Sequence, residues 1–528
     1  MILKAINKSL LTLALSASAT FAFGQQHGNW CGTGDAPQAN LEYIEQLRAN
    51  GVFDNLDIEQ VQNTIFVPLK IHIIGTNDGQ GYHRLDDLMR NICQLNQQYK
   101  PTNIQFFLRG DINYINNSNL VNLGNNQGPV AAMQAAAAVN TQYNVIRVVN
   151  VYYTNLSGAS LCGFANFPTT GAPNEPLRQG AIYLSPNCSG NNNTTFAHEM
   201  GHFLNLPHPF QDTSNDPSGP LSERVTRNPN EQAPRFAANC ATAGDRFCDT
   251  PADFRGARWN CPQPNSTVTD INGDLFNPQS DLYMSYSNDP CQNRFSGENI
   301  AAMRATLTLT QNQQGQNVVG PRMYLLIPPM EPYDTITSTP TVLEPANNAT
   351  GIPANWAFFR WNSVPGATKY VLRITRQNVI LVDEVFLDRP DTTYLYRGSK
   401  LNPGTQYNVR IMPLNHKVTC SPFGQTINFT AGQGYGVSVY EQQKDFLQIY
   451  PSLLNTYEPI RVQAKDMLQH QVNYEVMDIQ GRSILKNSLN TQGDDRFEID
   501  LNNLPNGTYM IRIMHGNTPY FERVVISR

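Results

Sequence analysis

An α+β domain followed by two all-β sandwiches is the architecture this 528-residue sequence predicts. Three observations carry it. Between residues 61 and 325, β-branched and aromatic runs alternate with stretches of helical spacing. After a Pro/Thr-rich stretch at 326–345, short segments alternate apolar and polar residues, as half-buried strands do. From residue 447 a second set of such segments, separated by Gly, Asn and Pro turns, runs to the end.

The chain opens on Met1-Ile-Leu-Lys-Ala-Ile-Asn-Lys, which is weakly basic, and continues with an apolar run from Ser9 to Phe23. Ala22-Phe-Gly24 fits a small-residue cleavage site, so residues 1–24 read as a secretory signal peptide. The run is short for a transmembrane span, and no other span of about 20 apolar residues follows. Hydrophobic residues make up 40% and charged residues 15%, as in ordinary globular domains. A net charge of −5 gives no reason to expect nucleic acid or an anionic membrane as partner. Nine cysteines in an exported chain imply disulfides with one thiol left over. Cys240 and Cys248 bracket a short loop and are expected to pair, and Cys162 with Cys188 is a candidate pair. Residues 25–60 read as a short pro-segment that contains Cys31.

In the α+β region, Thr64–Gly75 predicts a strand, with His72 packed inside it rather than free as a ligand. Leu85–Tyr99 and Pro129–Asn140 have helical spacing; Asn103–Leu108, Asn144–Thr154 and Gly180–Ser185 predict strands. A helix is expected near 193–205. Residues 206–325 read as mostly irregular, with one helix at Ser296–Thr308. The polar loop between His208 and Cys240 is expected to be an insertion near the site, at a substrate rim.

Chemistry concentrates in Phe196-Ala-His-Glu-Met-Gly-His-Phe-Leu-Asn-Leu-Pro-His208. Positions i and i+4 of a helix share a face, so His198 and His202 can grip one metal ion. Asn205 and Pro207 end the helix, and the turned chain can return His208 as a third ligand. Three imidazoles and one open position are the arrangement of a catalytic zinc. Glu199 is not needed for coordination and is placed to take a proton from a water in that position. A solvated helix with two histidines would explain the short motif but not the third histidine at this spacing.

Downstream stands Asp281-Leu-Tyr-Met-Ser-Tyr-Ser-Asn-Asp-Pro-Cys291. Alone, Met284 would be an ordinary core methionine. With the extended histidine motif it resembles the methionine turn of metzincin proteases. The combination is most similar to the pappalysin family, over roughly residues 28–325. It includes Cys-Gly-Thr at 31–33, Leu-Cys-Gly-Phe-Ala at 161–165 and Gly-Asp-Arg-Phe-Cys-Asp-Thr-Pro at 244–251. The sequence departs from the pattern at Asn205, where metzincins usually have glycine. Asn is the next best tolerated residue at positive φ, so the turn is expected to survive.

The resemblance implies an α+β zincin (metzincin) catalytic domain at 61–325, followed by the two all-β sandwich domains. It implies zinc on His198, His202 and His208, Glu199 as the general base, and Tyr286 stabilising the tetrahedral intermediate. Against that last role stands a merely packed turn aromatic. It implies a Cys261–Cys291 disulfide tying the methionine turn to the segment before it. Asp245, Asp249 and the Thr250 carbonyl fall where the family carries structural calcium; the alternative is a solvated acidic turn. Cys31 resembles the family's latency cysteine, a thiolate filling the fourth zinc position until the segment is removed. The alternative is a disulfide from Cys31, to Cys93 among others; Cys31, Cys93 and Cys420 are left open. In one member of the family an aspartate at the place of Asp289 lines the pocket for the residue just after the scissile bond. A carboxylate there pairs well with a guanidinium, which predicts cleavage on the N-terminal side of Arg, with Lys weaker. The alternative is that Asp289 only caps its turn.

Residues 326–345 read as a linker. Phe358–Trp361, Lys369–Ile374 and Tyr407–Ile411 alternate as strands. With Trp361 and Leu401-Asn-Pro-Gly-Thr-Gln-Tyr407, a candidate tyrosine corner, residues 346–433 resemble a fibronectin type III sandwich. Residues 447–528 resemble the C-terminal sorting domain of the type IX secretion system through Ile449-Tyr-Pro-Ser, Tyr474–Gly481, Leu504-Pro-Asn-Gly-Thr-Tyr509 and Val524–Ile526. The usual Pro-Asn-Pro is replaced by Pro451-Ser-Leu. That implies the type IX machinery as a partner and a secreted or surface location. The expected function is a secreted zinc endopeptidase made as a latent precursor and acting on protein or peptide substrates. The rival is an adhesin or matrix module with a dead zinc fold; Glu199 argues against it, because a structural site has no use for a base.

Overall fold

The computed structural model describes residues 30–54, 63–123, 128–156, 158, 160–169, 180–189, 193–213, 216–261, 266–310, 319–329, 334–355, 357–377, 379–386, 392–433, 447–464, 472–478, 482–489, 496–515 and 518–528. The signal peptide lies outside these residues, as does the part of the pro-segment before Trp30. Two compact units result. One runs to Thr335 and includes Leu414–Ser421; the other comprises Ile336–Pro413 and Pro422–Arg528.

The first unit begins with helix α1 (Gln38–Ala49), which lies within the expected pro-segment. Strand β1 (Ile65–Gly75) follows and is buried along almost its whole length. Such a continuous apolar run suits a central strand covered on both faces. Helix α2 (Leu85–Tyr99) buries Leu88, Ile92, Leu95 and Tyr99, which recur three or four apart on one face. Strands β2 (Ile104–Leu108) and β3 (Asn113–Asn116), helix α3 (Pro129–Tyr143) and strands β4 (Val149–Tyr153), β5 (Gly163–Ala165) and β6 (Ala181–Leu184) complete the sheet region. β2, β3 and β4 pair parallel with β1, and β6 pairs parallel with β4. Only β5 runs antiparallel, at the edge beside β6. His72 is buried in β1, stacked on Tyr152 and hydrogen-bonded to Asn150 and Asn113, so it is a packed strand residue.

Helix α4 (Thr195–Phe203) carries the histidine motif. Asn193 Oδ1 accepts the Thr195 N–H at 2.7 Å and supplies one of the partners a helix start needs. Helix α5 (Gly297–Thr308) is closed by a capping box in which Ser296 and Asn299 exchange side-chain and backbone bonds. Between α4 and α5 the chain is irregular. Asp245, Asp253 and Asp270 each accept the backbone N–H two residues on, holding turns where no ladder exists. Disulfides Cys240–Cys248 and Cys261–Cys291 pin this region. Cys162 pairs with Cys188, and Cys93 of α2 pairs with Cys420 of the segment Leu414–Ser421. Cys31 is therefore the one free thiol, and a Cys31–Cys93 bond is excluded.

The second unit holds two cores. Strands β7 (Val342–Glu344), β8 (Ala349–Pro353), β9 (Ala357–Trp361), β10 (Lys369–Arg376), β11 (Val379–Phe386), β12 (Thr393–Tyr396), β13 (Gln406–Leu414) and β14 (Ile427–Gly432) make a sandwich. Its sheets run β11-β10-β13-β14-β8 and β12-β9-β7 around Phe359, Trp361, Tyr407 and Phe429. Tyr407 Oη accepts the Asn402 N–H at 2.7 Å, the bond of a tyrosine corner. Strands β15 (Leu447–Tyr450), β16 (Leu453–Leu454), β17 (Ile460–Ala464), β18 (Val472–Asp478), β19 (Ser483–Leu489), β20 (Arg496–Ile499), β21 (Gly507–His515) and β22 (Thr518–Ile526) form the last domain. Its sheets, β15-β17-β20 and β16-β22-β21-β18-β19, close over Val462, Val476, Ile511 and Val524.

Candidate active site

The ring nitrogens Nε2 of His198, His202 and His208 lie 3.0, 3.0 and 3.2 Å apart. The local chain explains the convergence. One turn of α4 separates the first two histidines. Asn205 then takes φ +76, so the chain turns sharply and His208 comes back. His198 Nδ1 donates to the Tyr283 carbonyl and His202 Nδ1 to the Leu206 carbonyl, both at 2.7 Å. These bonds put the proton on Nδ1 and leave the Nε2 lone pairs facing one another. All three rings are buried, and burial holds them neutral: His202 is pushed down to about 3, His198 and His208 well below the usual range. Three converging lone pairs with no proton between them repel unless a cation sits among them. The donor set therefore fits a zinc ion.

Cys31 completes the cluster. Its Sγ lies 3.6 Å from His202 Nε2, and the four candidate ligand atoms all fall within 4.8 Å of one another. Among the described residues this is the one group of three or more such side chains that could hold a metal ion. Gly32 N donates to Gly163 O at 2.8 Å and Cys162 N to Trp30 O at 2.8 Å. The segment thus lies against edge strand β5, in the parallel direction. A Cβ at Gly32 would come 2.7 Å from Leu161 Cδ1, so Leu161 would have to shift to admit one.

Glu199 is fully buried beside the cluster. Its Oε2 accepts from Thr33 Oγ1 at 2.9 Å, while Oε1 has no hydrogen-bond partner. Burial pushes its carboxyl up to about 8. Tyr286 donates its hydroxyl to the Cys31 carbonyl at 3.4 Å, and its ring meets His208 edge-on at 4.8 Å. Met284 lies under α4, so close that a Cβ at Gly201 would run into its Sδ. That explains the glycine between the motif's glutamate and second histidine.

Asp289 is not in the histidine cluster. It lies at the start of α4, where its carboxylate accepts from Thr194 Oγ1 and Asn193 Nδ2, both at 3.1 Å, and from Arg258 Nη2 at 2.8 Å. Asp245 and Thr250 do meet, through Thr250 Oγ1 and Asp245 Oδ2 at 3.0 Å. Asp249 accepts the Glu298 N–H, and the Thr250 carbonyl accepts from Arg227. Two further buried acids, Glu223 and Asp253, lie in the same loop region, and Glu223 Oε2 has no hydrogen-bond partner. Sequence reasoning missed Thr33, Trp30 and Arg258. Thr33 stands in the quoted Cys-Gly-Thr match; nothing local marks Arg258.

Residues 133–308 match the family described as pregnancy-associated plasma protein-A, and residues 448–527 match the secretion system C-terminal sorting domain. An extracellular metalloprotease of Verticillium alfalfae is 26% identical over 296 residues, covering 54% of this chain and 92% of the relative. One from Colletotrichum graminicola is 28% identical over 303 residues, covering 55% and 92%. Among solved structures, Tannerella forsythia mature mirolysin in complex with a cleaved peptide aligns at 17% identity and TM-score 0.34, covering 50% of this chain and 97% of that one. No helix among the described residues is long and apolar enough to cross a membrane. This is a secreted or cell-surface zinc metalloendopeptidase with a domain that matches the pregnancy-associated plasma protein-A (pappalysin) family over residues 133–308 and a secretion-system sorting domain that matches over residues 448–527.

Proposed function

We propose that the chain is the latent precursor of an endopeptidase that cuts on the N-terminal side of Arg, with Lys taken more weakly. Its catalytic domain spans 61–325; its fibronectin-like domain, expected at 346–433, starts earlier, at β7 (Val342–Glu344), inside the expected linker; its sorting domain spans 447–528. His198, His202 and His208 would hold zinc, which when bound polarises a carbonyl and acidifies a water. Glu199 takes the water's proton and passes it to the leaving amine. Tyr286 gives its hydroxyl to the oxygen that gains charge at the scissile carbon. In the latent chain the same hydroxyl meets the Cys31 carbonyl, which stands in for a substrate carbonyl.

The observation that carries the reading is the convergence of three Nε2 atoms and the Cys31 thiol with Glu199 alongside. Latency follows from occupancy. Cys31 fills the position a water needs, and Thr33 bonds the base. Asp289 supports the Arg preference as the carboxylate at the start of the metal-binding helix. Asp245 and Thr250 belong to a calcium site in this reading. Its support is that Asp245 is buried near a second buried acid, Glu223, one of whose oxygens has no hydrogen-bond partner. The deciding experiment is a peptide library cleaved by the activated enzyme. Enrichment of Arg directly after the cut is expected; no enrichment of basic residues there rejects the specificity.

A further inference from the structure

Asp289 is expected to read a substrate's cation, yet a cation of the chain itself already holds it. Arg258 Nη2 lies 2.8 Å from Asp289 Oδ1, and its Nη1 donates to the Ser287 carbonyl. With the bonds from Asn193 and Thr194, the carboxylate has donors on both oxygens. The guanidinium lies over the ring of Trp30, 4.4 Å from its centroid, and Trp30 meets His198 edge-on at 4.4 Å. Arg258 therefore has three kinds of partner: a carboxylate, a carbonyl and an aromatic face. The aromatic face alone belongs to the segment removed on activation in the reading above. The arrangement suits a latent chain, because it leaves no half-buried carboxylate without a counter-charge.

We propose that Arg258 is a specificity-determining residue: it competes with substrate for Asp289, and a substrate arginine is accepted only by displacing it. This rests on the reading that Asp289 lines the pocket after the scissile bond. Loss of Trp30 takes away the cation–π contact and loosens Arg258. The exchange is then like for like, one guanidinium for another on the same carboxylate. A lysine ammonium cannot make the paired bonds of a guanidinium, so it displaces Arg258 less well. A neutral side chain leaves Arg258 in place and meets a pocket whose charge is already cancelled. Arg258 thus blunts the preference for Arg and sharpens the preference for Arg over Lys.

The test uses activated enzyme and matched peptides with Arg, Lys or citrulline directly after the cut. Arg258→Ala should raise the Arg-to-citrulline ratio of kcat/KM about fivefold, the size of a partly exposed ion pair, chiefly through KM. It should also narrow the gap between Arg and Lys. Arg258→Lys should fall between the two enzymes. Should the alanine variant melt too low to assay, Arg258→Gln keeps the stem and loses the charge, and the same ratio is read. An unchanged or lower ratio in these variants overturns the proposal while Asp289→Ser still erodes the wild-type preference. If Asp289→Ser leaves the preference intact, the pocket reading itself fails and the role of Arg258 fails with it.

Discussion

Thr33 Oγ1 donates to Glu199 Oε2 at 2.9 Å and accepts the Ala165 N–H at 2.8 Å. One hydroxyl thus joins the pro-segment, the edge strand and the proposed base. Cys31, two residues earlier, faces His202. The short Cys-Gly-Thr stretch addresses both halves of the expected chemistry at once.

Two precursor variants separate these halves. Cys31→Ala should cleave peptide or itself before activation, because the fourth zinc position opens to water. Thr33→Val keeps the thiol and should leak less, by about tenfold, since it frees only the base. Activity of intact precursors is the measurement. A Cys31→Ala precursor as silent as the wild type would reject thiol-based latency.

Glu199→Ala in the activated enzyme should lower kcat by about 10²–10⁴-fold, the usual worth of a positioned acid–base. Zinc content, measured by elemental analysis, should stay at one ion per chain. Full turnover in this variant, with contaminating protease excluded, would sink the hydrolytic mechanism.

Gly201→Ala should destabilise the catalytic unit by about 1–3 kcal/mol, because its Cβ collides with Met284 Sδ. Thermal melting reads the loss. Adding Met284→Ala should recover part of it if the collision is the cause; purely additive losses would place the cost elsewhere.

Much of this was legible locally. The helix-spaced apolar positions of α2, the buried run of β1 and the Ser296 cap are short-range signals, and each element lies within a few residues of its expectation. The histidine motif was legible for the same reason, since its three ligands lie within eleven residues of chain. Asn205 takes the positive φ that its place after the helix suggested. Pairings that depend on how distant loops settle were not legible. Arg258 and Asp289 are 31 positions apart, Thr33 and Glu199 are 166 apart, and no periodicity connects either pair. The expected calcium positions show the same limit: the resemblance names Asp249, and no sequence pattern announces that its carboxylate accepts the Glu298 N–H at the start of α5.

Calcium and pH should act together on stability. Burial raises the carboxyls of Glu223 and Asp245 and pushes that of Asp253 up to about 7. Below about pH 4 folded and unfolded chains both hold these protons. Between about pH 4 and pH 7 the unfolded chain releases protons the folded chain keeps, so stability falls as pH rises. A bound divalent cation offsets that loss. Added calcium should therefore raise the melting temperature at pH 8 and do little at pH 5. An equal shift at both values, or none at either, would remove calcium from this loop.

The Cys93–Cys420 bond spans 327 positions of chain. A nick anywhere between those residues, the stretch before β7 included, leaves the pieces joined as one covalent molecule. On a denaturing gel such a chain keeps its size until a thiol is added, and then separates. Removal of the sorting domain behaves differently, because residues 447–528 lie outside the closed loop and leave with a single cut. Maturation at the C-terminus would show on a non-reducing gel, whereas cutting in the linker would stay hidden there.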